Sequence, residues 1–173
     1  MPNARVARRL CRAGFGATLA AVAWLTTPGA DAGTARVDAS VLAPVRAFAA
    51  AFNAQGAYPE AAFTRDCSVL DDFAPYVWRG DGAPRRWYAS LTGTTPLERR
   101  AMAATHARIV FDAPQFTRRD RERAYLVVPG TLTLTLHGNV ETQHGRWTLA
   151  EVRGPSGWRI ASQAWAIVDG FAD

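Results

Sequence analysis

The apolar pattern of this chain changes period once, and that change fixes the order of its architecture. Before His106 the apolar residues recur at spacings of three and four; after it they alternate with polar ones. Over residues 131–136 the alternation is strict. Thr131, Thr133 and Thr135 share one face, and Leu132, Leu134 and Leu136 the other. A period near 3.6 buries one stripe of a helix, and a period of two buries one face of a strand. Helices followed by a strand meander is the pattern of an α+β domain, with helices packed on one face of an antiparallel sheet. The chain has 173 residues, 49% of them hydrophobic and 20% charged. That suits one domain with a substantial core.

In the helical part, Ser40 is expected to cap a first helix over residues 40–55, with Val41, Val45, Phe48 and Phe52 as its buried stripe and Gly56 as its stop. Pro59 opens a short helix reaching Phe63. The Asp71-Asp72 segment reads as a short strand that turns near Pro75. Asp81 is expected to cap a third helix running to about Leu91, anchored by Trp87, Tyr88 and Leu91. Thr95-Pro96-Leu97-Glu98 has capping-box spacing and predicts a small helix to about Ala104. Strands are expected over residues 106–118, 124–137, 140–153 and 158–168. Gly138-Asn139 supplies one tight turn and Gly154-Pro155-Ser156-Gly157 another. Pro129-Gly130 signals a bulge or bend.

The N-terminus reads as an export signal over residues 1–32. Arg5, Arg8, Arg9 and Arg12 precede an apolar run from Phe15 to Leu25, too short to span a bilayer comfortably, and Ala30-Asp31-Ala32 offers small residues for cleavage; the alternative is an uncleaved membrane anchor. A linker follows over residues 33–39, then a domain over 40–169 and a tail over 170–173. The mature protein is expected to be periplasmic or secreted, with no membrane attachment after cleavage. Loss of four Arg and Asp31 lowers the formal charge from +5 to +2, which argues against a nucleic-acid partner. Cys67 is then the only cysteine, so no internal disulfide is available; its apolar neighbours Val69 and Leu70 point to a buried thiol. All 20 basic residues are Arg, which excludes lysine Schiff-base chemistry and a phosphate-loop lysine. No His, Cys, Asp or Glu cluster has metal-ligand spacing, and no cofactor is implied.

The segment with the most chemistry is Cys67-Ser68-Val69-Leu70-Asp71-Asp72-Phe73-Ala74-Pro75-Tyr76-Val77-Trp78-Arg79-Gly80. Two carboxylates, which favour water, run straight into rings, which favour burial. Such a stretch is either a strand end with solvated aspartates or the wall of a pocket. If it is extended, Asp71 and Asp72 point to opposite faces and only one looks inward. His106, His137 and His144 are the only histidines. His106 is a secondary catalytic candidate, while His137 and His144 flank a hairpin and are expected to be solvated. Trp147, Trp158 and Trp165 alternate with polar residues and are expected in the sheet core or a dimer surface.

Taken together, several segments resemble the nuclear transport factor 2-like superfamily, which includes ketosteroid isomerase, scytalone dehydratase and SnoaL-like polyketide cyclases. They are Phe52-Asn53-Ala54-Gln55-Gly56, Val69 to Gly80, Arg86-Trp87, Ala124-Tyr125-Leu126-Val127-Val128-Pro129, and Gly157-Trp158-Arg159-Ile160 with Gln163-Ala164-Trp165. The chain looks most like small exported bacterial members. The resemblance implies a cystatin-like cone: a bent antiparallel sheet wrapped around the N-terminal helices, with a pocket at the wide end. Aligned with the isomerase, Asp71 falls at the general-base position, and a carboxyl in an apolar pocket can shuttle a proton. The isomerase's two oxyanion donors do not carry over. Their positions hold Ala49 (or Phe48) and Leu149, and each missing donor forfeits about 3–4 kcal/mol of transition-state stabilisation.

The expected function is that of an exported protein binding a small apolar or aromatic ligand, with Phe52, Asp71, Phe73, Tyr76, Trp78 and Trp87 as ligand-binding residues. Asp71 is its candidate proton carrier, so weak enzymatic activity is included. One alternative is a lyase or isomerase that uses Asp71, with His106 as a dehydratase-like partner. Another is a non-catalytic module that forms a homodimer through its sheet.

Overall fold

The computed structural model describes residues 38–169. The expected leader over 1–32, the linker up to residue 37 and the tail over 170–173 lie outside the described residues. The turn before the first helix is closed by Asp38, whose Oδ1 accepts a hydrogen bond from the Ser40 N–H at 2.9 Å. Helix α1 spans Ala43–Asn53, later than expected, with Leu42 rather than Ser40 at its N-cap. Pro44 explains the shift: its fixed φ suits the first turn of a helix, and the N–H it lacks has no helical partner there.

A single turn of 3₁₀ helix over Glu60–Ala62 leads into strand β1, Phe63–Leu70, and a short β2, Val77–Trp78, folds back on it. Helix α2 follows over Ala83–Thr92. Its N-cap is Gly82 in the left-handed region; Asp81 does not cap it but forms an ion pair with Arg65. Helix α3, Pro96–Ala104, carries the expected capping box, with Glu98 N–H donating to Thr95 Oγ1 and Thr95 N–H to Glu98 Oε2.

The expected strand over 106–118 is two strands, β3 (Arg108–Phe111) and β4 (Phe116–Arg119), both paired with β5 (Arg123–Leu136). The break contains Pro114, which has no N–H for a ladder. β5 itself runs through Pro129 and Gly130 in unbroken register with β6 (Asn139–Gly154), so the irregularity lies in its neighbour. The β5–β6 turn is His137-Gly138, one residue earlier than expected. Its φ values of 50° and 85° are the two positive angles of a type I′ turn. β7, Gly157–Asp169, pairs antiparallel with β6 and parallel with β1. The sheet order is β2-β1-β7-β6-β5-β3, with β4 also on β5. The sheet is antiparallel except at that one pair, and it is open and curled.

Two features seat the helices. The buried stripe of α1 is Val45, Phe48 and Phe52, with Val41 just before it. At the end of α1 the Asn53 amide clasps β3: Nδ2 donates to Ile109 O at 2.8 Å, and Ile109 N–H donates to Oδ1 at 2.7 Å. β3 ends the sheet order, and both backbone groups on its open edge at Ile109 are thereby satisfied by one side chain. Cys67 is fully buried, and burial pushes its thiol up to about 12, which leaves it unreactive.

Glu151 is the costly residue of the core. It lies on the same face of β6 as Trp147 and Leu149, is 1% exposed, and has no hydrogen-bond partner for either carboxylate oxygen. Burial pushes its pKa up to about 8. A raised acid pKa means the folded state holds the proton more tightly than the unfolded one. Its stabilising effect is therefore complete below the ordinary value near 4.5 and is lost as pH rises through about 8. Glu151→Gln, measured by urea unfolding from pH 5 to pH 9, should flatten this loss. We expect a gain of roughly 1–2 kcal/mol over the parent at pH 9 and little change at pH 5.

Candidate functional site

Asp71 lies immediately after β1. Its N–H donates to Tyr76 O at 3.0 Å and closes the 71–76 turn, which contains a cis Ala74–Pro75 peptide. The turn fixes the backbone, and α2 fixes the side chain: Trp87 Nε1–H donates to Asp71 Oδ2 at 2.6 Å, while Asp72 N–H donates to Oδ1 at 2.9 Å. Burial, followed by the Asp72 carboxyl, pushes Asp71 up to about 7; the Trp87 and Asp72 N–H groups act in the opposite direction. Asp71 is thus a carboxyl that gains and loses its proton near neutrality.

It faces a cavity of about 110 Å³. The helix side of the wall is Phe48, Phe52, Trp87 and Leu91. The sheet side is formed by Ile109, Phe111, Leu132, Trp147 and Trp165, with Gln143 as its one polar residue. Phe73 and the exposed Asp72 complete the rim. The size is nearer that of cavities known to admit a benzene ring than that of drug-sized pockets.

A pair of glycines makes this cavity. Gly130 and Gly145 face each other across β5 and β6. A methyl group on Gly145 would overlap the Trp165 ring, and one on Gly130 would lie 2.8 Å from Phe111 Cδ1. Glycine inside a strand marks such close approach. Both rings sit against bare backbone, and both line the cavity, Phe111 stacked on Trp147 with centroids 5.0 Å apart.

The structure brings Phe52, Asp71, Phe73 and Trp87 together around the cavity and leaves two expected members outside. Tyr76 is 58% exposed, turned away by its positive φ of 66°. Trp78 is buried but packs behind Phe73, with ring centroids 5.2 Å apart. His106 is not at a strand start. It ends α3 in the left-handed region at φ 49°, exposed and absent from the cavity, so it makes no pair with Asp71. His137 and His144 are exposed as expected, although His144 lies on the outer face of β6 beside Thr131 rather than at the hairpin tip. Of the strand tryptophans, Trp158 is core, whereas Trp147 and Trp165 are cavity wall rather than dimer surface. Gln143, Phe48, Phe111 and Leu132 were also missed. For Gln143 the available signal is its shared parity with Gly145 and Trp147 on β6. Among the described residues no group of three His, Cys, Asp or Glu side chains is placed to hold a metal.

Ala49, Phe48 and Leu149 offer no side-chain hydrogen-bond donor. Two of the three indole N–H groups of the wall are committed, Trp87 to Asp71 and Trp147 to Gln163 Oε1 at 2.5 Å. Gln143 and Trp165 make no side-chain hydrogen bond among the described residues, so the Gln143 amide and the Trp165 indole N–H are the remaining donors on the wall.

No protein-family model and no curated protein matches the sequence. Solved structures do match. An NTF2-like protein with a cystatin-like fold from Novosphingobium aromaticivorans is 17% identical, with a TM-score of 0.59 over 75% of this chain and 80% of that one. A ketosteroid isomerase-like protein from Erwinia carotovora atroseptica is 16% identical, with a TM-score of 0.58 over 76% and 95%. A protein provisionally named as a scytalone dehydratase, also from N. aromaticivorans, is 11% identical, with a TM-score of 0.59 over 77% and 85%. The chain therefore has the nuclear transport factor 2-like fold that the sequence resemblance implied.

Proposed function

We propose that this chain is an exported small-molecule-binding protein whose cavity takes one compact apolar or aromatic ring and presents Asp71 to the ligand's polar group. The observation that carries this reading is a half-buried carboxyl, Asp71, pushed up to about 7, at a largely apolar and aromatic cavity of about 110 Å³, with the exposed Asp72 beside it on the rim. Protonated, Asp71 donates to a carbonyl or hydroxyl oxygen; ionised, it accepts from a hydroxyl. Aromatic walls supply the area, and the one acid supplies orientation.

A second reading, a lyase or isomerase with Asp71 as general acid or base, is favoured by the same pKa, which suits proton transfer at neutral pH. Steroid-type enolate chemistry is disfavoured because the positions aligned with the isomerase's donors are held by Ala49 or Phe48 and by Leu149, which leaves the Gln143 amide and the Trp165 indole N–H as the donors free to meet developing negative charge.

Export rests on the basic n-region, the apolar run and Ala30-Asp31-Ala32, and N-terminal sequencing of the extracytoplasmic protein should begin at Gly33. No helix among the described residues is long and apolar enough to cross a membrane. A homodimer through the outer sheet face is supported by Val110, Phe116 and Tyr125, each 44–50% exposed there. Light scattering at micromolar concentration should give twice the chain mass.

The ligand reading is tested by calorimetric titration with 4-methylphenol. The parent should bind it with an affinity that changes between pH 6 and pH 8. Asp71→Asn should lose that pH dependence and weaken binding by about tenfold, the effect of one charge-assisted hydrogen bond. It should also be more stable than the parent above pH 7, because the proton that Asp71 binds in the folded state no longer has to be lost. Asp72→Asn should still bind, with its pH dependence moved to lower pH, because the Asp72 carboxyl helps to raise Asp71. Unchanged binding in Asp71→Asn would remove Asp71 from the site.

A further inference from the structure

A second cavity, of about 120 Å³, adjoins the first and has a different character. It lies between the C-terminal ends of α1 and α2 and the facing side of α3. Met102, Ala103 and Ala107 form part of its wall, and Arg99 is its only charged residue. The two cavities have Phe52 and Leu91 in common and no other residue. These two side chains are therefore the partition between them. Phe52 is held, being 8% exposed and stacked on Phe48. Leu91 is only partly buried, near the last turn of α2, and rotation of one leucine side chain is a small displacement on the nanosecond scale of rotamer exchange.

The charge at the far end is uncompensated. Arg99 belongs to none of the three ion pairs among the described residues. Its nearest acid in sequence, Glu98, is committed to the capping box, accepting from the N–H groups of Thr94 and Thr95. Arg99 spends one N–H, from Nη1, on Thr94 O at 3.0 Å. A guanidinium has five N–H donors, and its fork geometry matches a carboxylate. Glu98 thus organises α3 without neutralising the cation beside it.

Building on the ligand reading above, we infer that the two cavities are one elongated site, with Leu91 as its internal gate and Arg99 as the anion-recognising residue at its far end. The ligand class follows. It is an aromatic acid: a ring with a hydroxyl or carbonyl at the Asp71 end, and a short chain past Leu91 that ends in a carboxylate at Arg99. Neither cavity alone has the volume for such a molecule; together they span an acid at one pole and a cation at the other.

The test uses three probes: 4-methylphenol, 4-propylphenol and 3-(4-hydroxyphenyl)propanoate. The last two differ mainly in the terminal carboxylate. Binding to the full mature protein is followed by fluorescence of the cavity tryptophans at low salt. The parent should bind the carboxylate about tenfold more tightly than 4-propylphenol, as expected for a charged hydrogen-bonded pair. Arg99→Gln should abolish that difference and leave both phenols unchanged, while Arg100→Gln, the neighbouring charge outside the cavity, should preserve it. Leu91→Trp should weaken both elongated probes more than 4-methylphenol. Thermal melts of each variant confirm that it is folded. Normal binding of 4-methylphenol, with no preference for the carboxylate or no loss in Arg99→Gln, would overturn the inference and leave the ligand reading standing. An equal loss in Arg100→Gln would also overturn it, by assigning the effect to the general positive field. Failure of all three probes to bind would overturn the ligand reading and this inference together.

Discussion

The ring of Phe48 is the contact on which the rest of the structure depends. It stacks on Trp87 of α2 with centroids 5.3 Å apart, and on Phe52 of its own helix at 5.8 Å. It meets Trp147 of β6 at 4.7 Å, Phe111 of β3 at 6.3 Å and Phe63 of β1 at 6.3 Å. One side chain thus ties both long helices to three strands of the curled sheet. Such offset and edge-on pairs each contribute about 0.5–1.5 kcal/mol beyond the area they bury. Removing a buried Phe to Ala costs about 3–5 kcal/mol in general, and here it would also release the ring that holds Trp87 in place.

Trp87 carries this packing into chemistry. Its ring face is fixed by Phe48 and its N–H edge is fixed on Asp71. The acid is therefore oriented by the core rather than by a flexible surface loop. Its desolvation has the same origin, since the rings that hold Trp87 are the walls that exclude water from Asp71. The same sheet tolerates a second buried acid, Glu151, with no partner at all. That contrast separates the two. Asp71 has an oriented hydrogen bond from Trp87; Glu151 has none, and is a burden on stability.

Much of this was legible in the sequence where a local rule decides. The capping box at Thr95 to Glu98 marks α3, and the change of period marks the meander from β3 to β7, but not β1 and β2, which come before α2 and α3. Asp71 and its neighbours Phe73 and Trp87 were found from a resemblance together with an unusual mix of acid and rings. What failed were features set by register or by competing local chemistry. Ser40 and Asp81 are good caps by type, yet Pro44 and Gly82 set the helix starts. Placing the hairpin turn at Gly138-Asn139 would pair Gly130 with Trp147; the actual turn at His137-Gly138 pairs Gly130 with Gly145. That one-residue difference hides the glycine pair, and with it the reason that Phe111 and Trp165 line the cavity. Tyr76 and Trp78 were misplaced because the 71–76 turn, not strand alternation, sets their directions.

The central claim is that the core holds Asp71 as a carboxyl that titrates near neutrality inside an aromatic cavity. Carbon-detected NMR titration of the Asp side-chain carboxyl signals, with Asp71 assigned through its contact to the Trp87 indole proton, measures this directly. The account predicts a midpoint near 7, and a Trp87 indole N–H signal that moves with it. A midpoint near the ordinary aspartate value of 3.8, with the indole signal flat across neutral pH, would contradict it.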